Sequence, residues 1–479
     1  MRNVIRWSLT GLLIAGFLTG GATAQALPHQ PGEGAAAGAS TADEDILARI
    51  TAIPGMNVLA ERPTAPGFRY FLLSYLQPMD HRRPERGTFE QRLTLLHKST
   101  TRPMVLHTTG YNLDDVPAFR SEPTQLVDGN QISVEQRFFT PSRPAPADWT
   151  KLDIWQAATD HHRLIAALKK IYHGKWISTG ASKGGMASVY HARFYPRDID
   201  GVVAYVAPND VENKADAAYD RFFRTVGNDL TCRQKLKDLA AEALRRRTEM
   251  VARLEAVARQ SDLTFNILRT ADRAFENSVM DFEWAFWQFR LQADCATVPD
   301  PATVTTDELY AYVDEIAGLT FYTDQGLDPF IPYYYQAGTQ LGWPSPKFKN
   351  LAGLLKYPGI YQPRSYVPAD LSMRFDPRVM ADIDGWVRHN GTRLMFLYGK
   401  NDPWGAEPFR LGAGSRDSFW YDVAGLNHSA RLIARLPADQ KSQATATLLR
   451  WTGQSGQRAA SAFSSRLDTY DELQIRRPL

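Results

Sequence analysis

The stretch "KWISTGASKGGMASVYHARFYP", Lys175 to Pro196, decides the fold class of this chain. It begins with apolar and β-branched residues, places glycines and small residues around Ser182, and continues with residues that favour a helix. Residues 180–184, "GASKG", fit the pattern G-x-S-x-G. A strand before this pattern and a helix after it predict a sharp turn that exposes the serine hydroxyl. We therefore predict that Ser182 is a nucleophile.

Short apolar segments recur on both sides of this turn. They are "YFLLSYLQ" (70–77), "FEQRLTLLH" (89–97), "PMVLHTTG" (103–110), "QISVEQRFF" (131–139), "GVVAYVAP" (201–208), "TRLMFLYG" (392–399) and "SFWYDV" (418–423). Between the fourth segment and the serine turn, residues 152–173 carry apolar side chains at helical spacing. Strands alternating with helices predict an α/β fold with a mostly parallel sheet. Together with the serine turn, this pattern predicts the α/β-hydrolase fold.

The alternation stops after residue 208 and returns near residue 392. Residues 209–345 are mostly helical in pattern, which predicts a helical lid inserted between two strands of the sheet. The α/β core then consists of residues 46–208 and 346–479. Residues 27–45 are rich in glycine, alanine and proline, and they predict a flexible leader.

The first 26 residues follow the pattern of a secretory signal peptide. Arg2 and Arg6 precede an apolar run from Leu9 to Leu18, and small residues follow at "ATA" and "AQA" (22–26). An uncleaved anchor is the alternative. No later stretch is long and apolar enough to predict a membrane span, so we expect a secreted or periplasmic protein without a membrane contact after signal cleavage.

Charge argues against a nucleic-acid partner. The formal net charge is +3 over 479 residues, and nucleic-acid binding needs a concentrated basic face. The densest basic run, "RRR" at Arg245 to Arg247, is flanked by Glu242 and Glu249 and predicts a solvated helix face.

Only two cysteines are present, Cys232 and Cys295. In an oxidising compartment they predict one intrachain disulfide. Two buried free thiols are the alternative. Histidines at ligand spacing are missing near both cysteines, so we expect neither a zinc site nor any other metal or cofactor.

A serine hydroxyl needs a base, and the base needs an acid that orients it. In an α/β-hydrolase these follow the serine in the order acid, then histidine. Of the ten histidines, His428 in "VAGLNHSARL" follows the last predicted strand. Asp402 in "LMFLYGKNDPW" is the acid candidate, because it lies in the loop after a strand; Asp422 and Asp417 are its rivals.

A tetrahedral intermediate needs two N–H donors for its oxyanion. The backbone N–H of Lys183, directly after the serine, is one candidate. The loop after the third strand, "LHTTGYNLDD" (106–115), supplies Gly110 and Tyr111 as candidates for the other. An ordinary glycine turn is the alternative for that loop.

Several stretches resemble the proline-specific serine exopeptidases of family S37, the PS-10 type, and more distantly family S28. They are "YLQPMDHRRPERGTFEQR" (75–92), "VEQRFFTPSRP" (134–144), "TGASKGGMAS" (179–188), "YYYQAGTQLGW" (333–343), "YGKNDPW" (398–404) and "NHSA" (427–430). Gln340 stands where S28 members carry Glu, and Gln136 where they carry His. These departures and the few cysteines favour S37.

The resemblance implies an aminopeptidase that releases tri- or tetrapeptides ending in proline from oligopeptides with proline near the N-terminus. Such an enzyme needs a fixed negative charge for the substrate's ammonium group. Glu135 is the first candidate; the alternative is that Glu135 pairs with Arg137 or another structural arginine. Trp284 and Trp287 are candidates for an aromatic proline pocket.

Two other function classes remain for comparison. A secreted carboxylesterase or lipase uses the same fold and the same triad. A non-catalytic binding protein is disfavoured, because serine, aspartate and histidine are all present in the required order.

Overall fold

The computed structural model describes residues 45–212, 216–429 and 432–454. The predicted signal peptide, residues 1–26, and the predicted leader up to residue 44 lie outside the described residues. Within the described ranges, no helix has the length and apolar character that a membrane span requires.

A mixed sheet of nine strands forms the centre of the described chain. The strands are β1 (Met56–Arg62), β2 (Arg69–Pro78), β3 (Thr88–His97), β4 (Met104–Thr108), β5 (Asn130–Val134), β6 (Trp176–Ala181), β7 (Gly201–Tyr205), β8 (Leu394–Gly399) and β9 (Phe419–Val423). Their order is β1-β2-β3-β5-β4-β6-β7-β8-β9. The first three strands and β5 pair antiparallel, and β5 through β9 in this order run parallel. The predicted α/β class with a mostly parallel sheet is confirmed.

Helices, some of which cover the two faces of this sheet, make up much of the rest of the described chain. They are α1 (Ile46–Thr51), α2 (Glu122–Val127), α3 (Ile154–Leu168), α4 (Lys183–Phe194), α5 (Ala217–Thr225), α6 (Leu230–Arg245), α7 (Arg247–Gln260), α8 (Ala271–Phe289), α9 (Thr306–Ala317), α10 (Asp324–Leu327), α11 (Ile331–Gln336), α12 (Arg378–Asn390) and α13 (Ala438–Trp451). Alternate residues of β8 show the two faces: Leu394 and Phe396 pack in one apolar cluster, and Met395 and Leu397 in the other. Burial on both faces explains why these strands are continuously apolar.

Two details of the sheet differ from the sequence prediction. Strand β1 was not predicted, because this edge strand is half exposed and lacks a regular apolar alternation. The segment predicted as a strand over residues 131–139 ends at Val134. Beyond it, the Phe138 N–H bonds to the Ser142 carbonyl and Phe138 has φ 73°, so the chain turns away from the sheet.

Helices α5 to α11 lie between β7 and β8, where the sequence predicted a helical insertion. The basic run does not form one solvated face. Arg247 is 6% exposed, and its guanidinium bonds to Asp272 and Glu276 at 2.6 Å each. The chain interrupts the helical pattern at Arg246, which separates α6 from α7. The prediction of a solvated face is therefore wrong for Arg247, because its charge is neutralised inside the helical layer.

The structure pairs Cys232 with Cys295 in a disulfide. It joins the first turn of α6 to a short 3₁₀ turn, Gln292–Thr297, which follows α8. The two cysteines are separated by 63 positions in sequence. The bond thus ties two distant parts of the helical insertion together.

Candidate active site

Ser182 occupies the corner between β6 and α4. Its backbone has φ 54° and ψ −128°, a strained region for a residue with a Cβ. The Ser182 N–H donates to the Tyr205 carbonyl over 2.9 Å, and the Met186 N–H donates to the Ser182 carbonyl over 3.0 Å. A Cβ on Gly184 would overlap the Thr108 carbonyl oxygen of β4. Glycine there lets α4 begin directly against the sheet, which holds the serine at the carboxyl edge.

Asp402 and His428 meet at the same edge of the sheet. Asp402 follows β8, and His428 lies five residues after the end of β9. The Nδ1 atom of His428 lies 2.7 Å from Oδ2 of Asp402, and the aspartate is 1% exposed. The other oxygen of Asp402 accepts from the Trp404 N–H at 3.0 Å. The carboxylate is thus fixed by two partners, as the acid of a catalytic triad must be.

The Nε2 atom of His428 is buried and has no hydrogen-bond partner among the described residues. The structure thus joins His428 to Asp402 and shows no hydrogen bond between His428 and Ser182, and Nε2 is the ring nitrogen left for that hydroxyl or for a substrate. The rival acids lie elsewhere: Asp422 faces Lys400 at 3.4 Å, and Asp417 forms a two-oxygen ion pair with Arg450.

Gln288, near the end of α8, bonds to the loops that carry Asp402 and His428. The Gln288 carbonyl accepts from the His428 N–H at 3.3 Å, and its side-chain oxygen accepts from Trp404 Nε1 at 3.0 Å. One residue of the helical insertion therefore bonds to the acid loop and to the base. Sequence reasoning missed Gln288, because nothing in an amphipathic helix marks a contact to loops more than a hundred residues away.

The predicted oxyanion loop packs on the start of α4. Gly110 has φ +75°, and a Cβ there would lie 2.5 Å from the Gly184 nitrogen and 2.7 Å from the Lys183 carbonyl carbon. The Tyr111 N–H donates to Thr109 Oγ1 at 3.2 Å, so this donor is already used. For the Gly110 N–H, no hydrogen bond occurs within the part of the chain that the structure describes. Of the two candidates, the Gly110 N–H is therefore the better second oxyanion donor beside the N–H of Lys183.

The side chain of Lys183 adds a contact that the sequence did not predict. Its Nζ donates to the Gly110 carbonyl at 2.6 Å and lies over the rings of Tyr111 and Phe139, 5.6 Å and 5.2 Å from their centroids. Burial lowers the pKa of Lys183 to about 7. The same residue thus provides a backbone donor at the nucleophile and a side chain that holds the opposite loop.

Glu135 does not face a substrate space. It is fully buried, and Oε1 accepts from Arg92 Nη2 at 2.6 Å and from the Leu113 N–H at 2.9 Å. Its Oε2 accepts from the Ser142 hydroxyl at 2.6 Å. The structure therefore favours the structural alternative and corrects the first role, with Arg92 rather than Arg137 as the partner.

Arg137 is occupied elsewhere. Its Nε lies 2.7 Å from Asp160, and neither side chain is exposed.

Replacing Glu135 with glutamine is expected to lower the free energy of unfolding by about 1–3 kcal/mol, because an amide NH₂ would face backbone and side-chain donors. Urea unfolding measures this loss. The ratio of rates on peptide amides with free and with blocked N-termini should stay at the wild-type value. A fall of that ratio without a loss of stability would restore the substrate-binding role of Glu135.

The two candidate tryptophans occupy different places. Trp287 is 1% exposed and packs edge-on against Phe286 inside the helical layer, so the structure gives it no substrate contact. Trp284 packs against Trp404 with ring centroids 4.7 Å apart. Trp284 is thus beside the acid loop, and Trp287 is a core residue.

Polar residues after β7 were also missed. Asn209 and Asp210 follow a buried parallel strand, in "VAPND", and lie buried at its carboxyl end. Side chains at this edge of an α/β sheet commonly contact ligands, and that placement was the signal available in the sequence.

Two solved structures match this chain only distantly. Carboxyl esterase 2 from Tuber melanosporum is 12% identical, with 84% of this chain and 90% of that chain covered and a TM-score of 0.33. The bromoperoxidase from Bacillus anthracis is 15% identical, with 79% and 99% covered and a TM-score of 0.34. Likeness at this level says nothing about the reaction.

Sequence relatives are much closer. Prolyl tri/tetrapeptidyl aminopeptidase from Streptomyces mobaraensis is 52% identical over 480 residues, which cover 98% of this chain and 98% of that protein. Residues 39–476 match the family described as PS-10 peptidase S37. The match spans the serine turn, the oxyanion loop and the Asp402–His428 pair, and the chain belongs to the PS-10 peptidase family S37.

Proposed function

We propose that this chain is a secreted serine exopeptidase that releases tri- or tetrapeptides ending in proline from the N-terminus of oligopeptides. The reaction proceeds through an acyl-enzyme on Ser182. Family membership makes the chain a serine peptidase. The signal-peptide pattern in residues 1–26 supports export.

The observation that carries the substrate class is the identity with the Streptomyces enzyme over nearly the whole chain. The triad alone does not carry it, because esterases use the same three residues. The identity extends through the helical insertion, which covers the catalytic loops and so bears on substrate selection.

The chemistry follows from the positions of the side chains. Ser182 Oγ attacks the carbonyl carbon of the proline residue while His428 Nε2 takes the hydroxyl proton. Asp402 holds the imidazole through Nδ1, and the N–H groups of Lys183 and Gly110 receive the oxyanion. Collapse of the intermediate breaks the C–N bond, and His428 returns the proton to the leaving amine. Water then releases the proline-ending peptide by the same steps.

An aromatic cavity supports a proline subsite. It lies between α8 and the acid loop. Its aromatic lining consists of Trp284, Phe289, Phe321, Trp343, Tyr361 and Trp404, and its polar lining of Asp281 and Gln288. Flat apolar rings suit the pyrrolidine ring of proline, because its nitrogen has no N–H to donate once it is part of a peptide bond.

One panel of substrates tests the proposal. It contains chromogenic amides of Ala-Ala-Pro, Ala-Pro and Pro, each with a free or a blocked N-terminus, and a short-chain ester. The free Ala-Ala-Pro amide should have the highest kcat/KM. Rapid hydrolysis of the ester with no cleavage of any prolyl amide would replace the peptidase by the carboxylesterase alternative.

A further inference from the structure

An exopeptidase that releases a fixed number of residues from a free N-terminus needs a negatively charged group that binds the ammonium group of the substrate. Since Glu135 is satisfied by structural partners, the group must be sought elsewhere. Carboxyl groups whose charges raise one another's pKa follow β7 and β8 in sequence: Asp216 and Glu407 act on Asp210, and Asp216 and Glu212 act on Glu407. We call Asp210, Asp216 and Glu407 the carboxylate cluster. Such an ammonium site rests on the proposed function, because an esterase would have no use for it.

Local pairing brings the members of the carboxylate cluster together. The Asn209 N–H donates to the Glu407 carbonyl at 2.8 Å, and Pro208 and Pro408 form a bridge. The chain at Gly342 covers Asp210 so closely that a Cβ there would lie 2.7 Å from the carboxyl carbon. Burial raises the pKa of Asp210 to about 8, and the charges of Glu407 and Asp216 contribute.

Within the described ranges, no lysine or arginine forms an ion pair with the carboxylate cluster. Asp210 is 4% exposed, and neither of its carboxylate oxygens has a hydrogen-bond partner there. The backbone N–H of Trp343 lowers the pKa of Asp210. The charge of Arg221 lowers the pKa of Glu407. A buried carboxylate without a partner is costly, so its presence points to a ligand.

Tyr219 is a second, independent sign of a ligand. Its side chain is completely buried, and its hydroxyl has no partner among the described residues. Burial raises the pKa of Tyr219, and the charges of Asp210, Glu407 and Asp216 raise it further. A buried hydroxyl is normally hydrogen-bonded. The Nε1 of Trp284, whose ring lies 5.4 Å from that of Tyr219, is likewise buried and unpaired.

The cluster adjoins the catalytic machinery. Tyr333 packs on Tyr111 of the oxyanion loop with centroids 5.6 Å apart, and Asp210 is among the charges that act on its phenol. Trp284 joins Tyr219 to Trp404 of the acid loop. These aromatic rings therefore link the cluster to both catalytic loops.

The spacing along the chain fits a short peptide. Tyr205 pairs with Ala181, the residue before Ser182, and Asp210 follows Tyr205 by five residues. Five residues span at most about 17 Å, and an extended tri- or tetrapeptide spans about 10–14 Å.

We propose that Asp210, supported by Glu407 and Asp216 and by the hydroxyl of Tyr219, binds the α-ammonium group of the substrate's first residue. The aromatic faces of Trp284 and Tyr219 add favourable contacts with a cation. The distance between this anchor and Ser182 sets how many residues are released.

The test compares two substrates that differ only in the ammonium group, Ala-Ala-Pro amide and propionyl-Ala-Pro amide. In wild type, the free amine should raise kcat/KM by about 10- to 100-fold, as a hydrogen bond to a charged group does. In Asp210→Asn this preference should fall to about twofold or less, while propionyl-Ala-Pro amide keeps its wild-type rate. The melting temperature of Asp210→Asn should stay close to that of the wild type, because an amide of the same shape replaces a buried carboxyl group that has no hydrogen-bond partner among the described residues. Asp210→Glu should restore part of the preference.

The matched control is Glu283→Gln. Glu283 is another carboxyl with a pKa raised by burial, to about 7. It lies on α8, outside the carboxylate cluster, and accepts from the Asn350 side chain at 2.8 Å. It should retain the full preference for the free amine. A wild-type preference in Asp210→Asn would overturn the anchor. Should Asp210→Asn not fold, an unchanged preference in Glu407→Gln overturns it instead, and a reduced one supports it.

The two proposals fail differently. A wild-type protein that cleaves neither amide contradicts the peptidase function. A wild-type protein that cleaves both at equal rates leaves the peptidase function intact and removes the ammonium site.

Discussion

Replacing Ser182 with alanine is expected to lower kcat on a prolyl amide by a factor on the order of 10⁴ to 10⁶, with the fold intact. The side chain is half-buried at the corner and carries no packing role that a methyl group cannot fill. The backbone N–H and carbonyl bonds of Ser182 do not involve the hydroxyl. Steady-state kinetics measure the loss, and a far-UV spectrum with a melting curve measures the fold.

His428→Ala should lose a similar factor, and the double variant Ser182→Ala/His428→Ala should lose little more than either single one. The reason is that the histidine acts by taking the serine proton, so it no longer contributes to the rate once the hydroxyl is removed. A rate loss in the double variant equal to the product of the single losses would mean that the two residues act independently. His389→Ala is the matched control, because that histidine lies exposed near the end of α12 and bonds to the Gly385 carbonyl.

The serine turn, the Asp402–His428 contact and the sheet were predictable because they follow from local rules. A strand, a glycine-flanked serine and a helix appear consecutively in sequence, and strands buried on both faces read as apolar runs. Asp402 and His428 follow strands of the same sheet, and the carboxyl ends of parallel strands lie at one edge. The 2.7 Å contact between Asp402 and His428 agrees with this placement.

The substrate-binding residues were not predictable in the same way. Glu135 and Asp210 both follow apolar strands, and the sequence does not say which carboxylate meets an arginine. That depends on Arg92, in a strand that pairs with β5 from the other side. Trp284 and Trp287 are three positions apart on one helix, yet only Trp284 reaches the acid loop. The way an inserted helix docks decides which of its residues contact the core. The spacing of apolar residues along the helix does not reveal that docking.

Replacing Gly110 with alanine is expected to lower kcat by about 10²- to 10³-fold with a smaller change in KM, which corresponds to the loss of one oxyanion donor. The new Cβ would lie 2.5 Å from the Gly184 nitrogen. Since α4 is held by the sheet, the loop must move away and carry the Gly110 N–H with it. The ground-state substrate makes less use of this donor than the oxyanion does, so kcat changes more than KM.

Gly359→Ala separates this displacement from backbone strain. Gly359 has φ +77°, almost the same as the +75° of Gly110, but an added Cβ there meets nothing within 4 Å. Both variants bear the cost of a left-handed alanine, and only Gly110→Ala should lose activity. Lys183→Met tests the same loop without a clash: it removes the bond from Nζ to the Gly110 carbonyl and leaves the backbone donor. We expect about a tenfold loss in kcat, as for one hydrogen bond. Equal kcat values for the alanine variants at Gly110 and Gly359 would place the second donor of the oxyanion hole outside this loop.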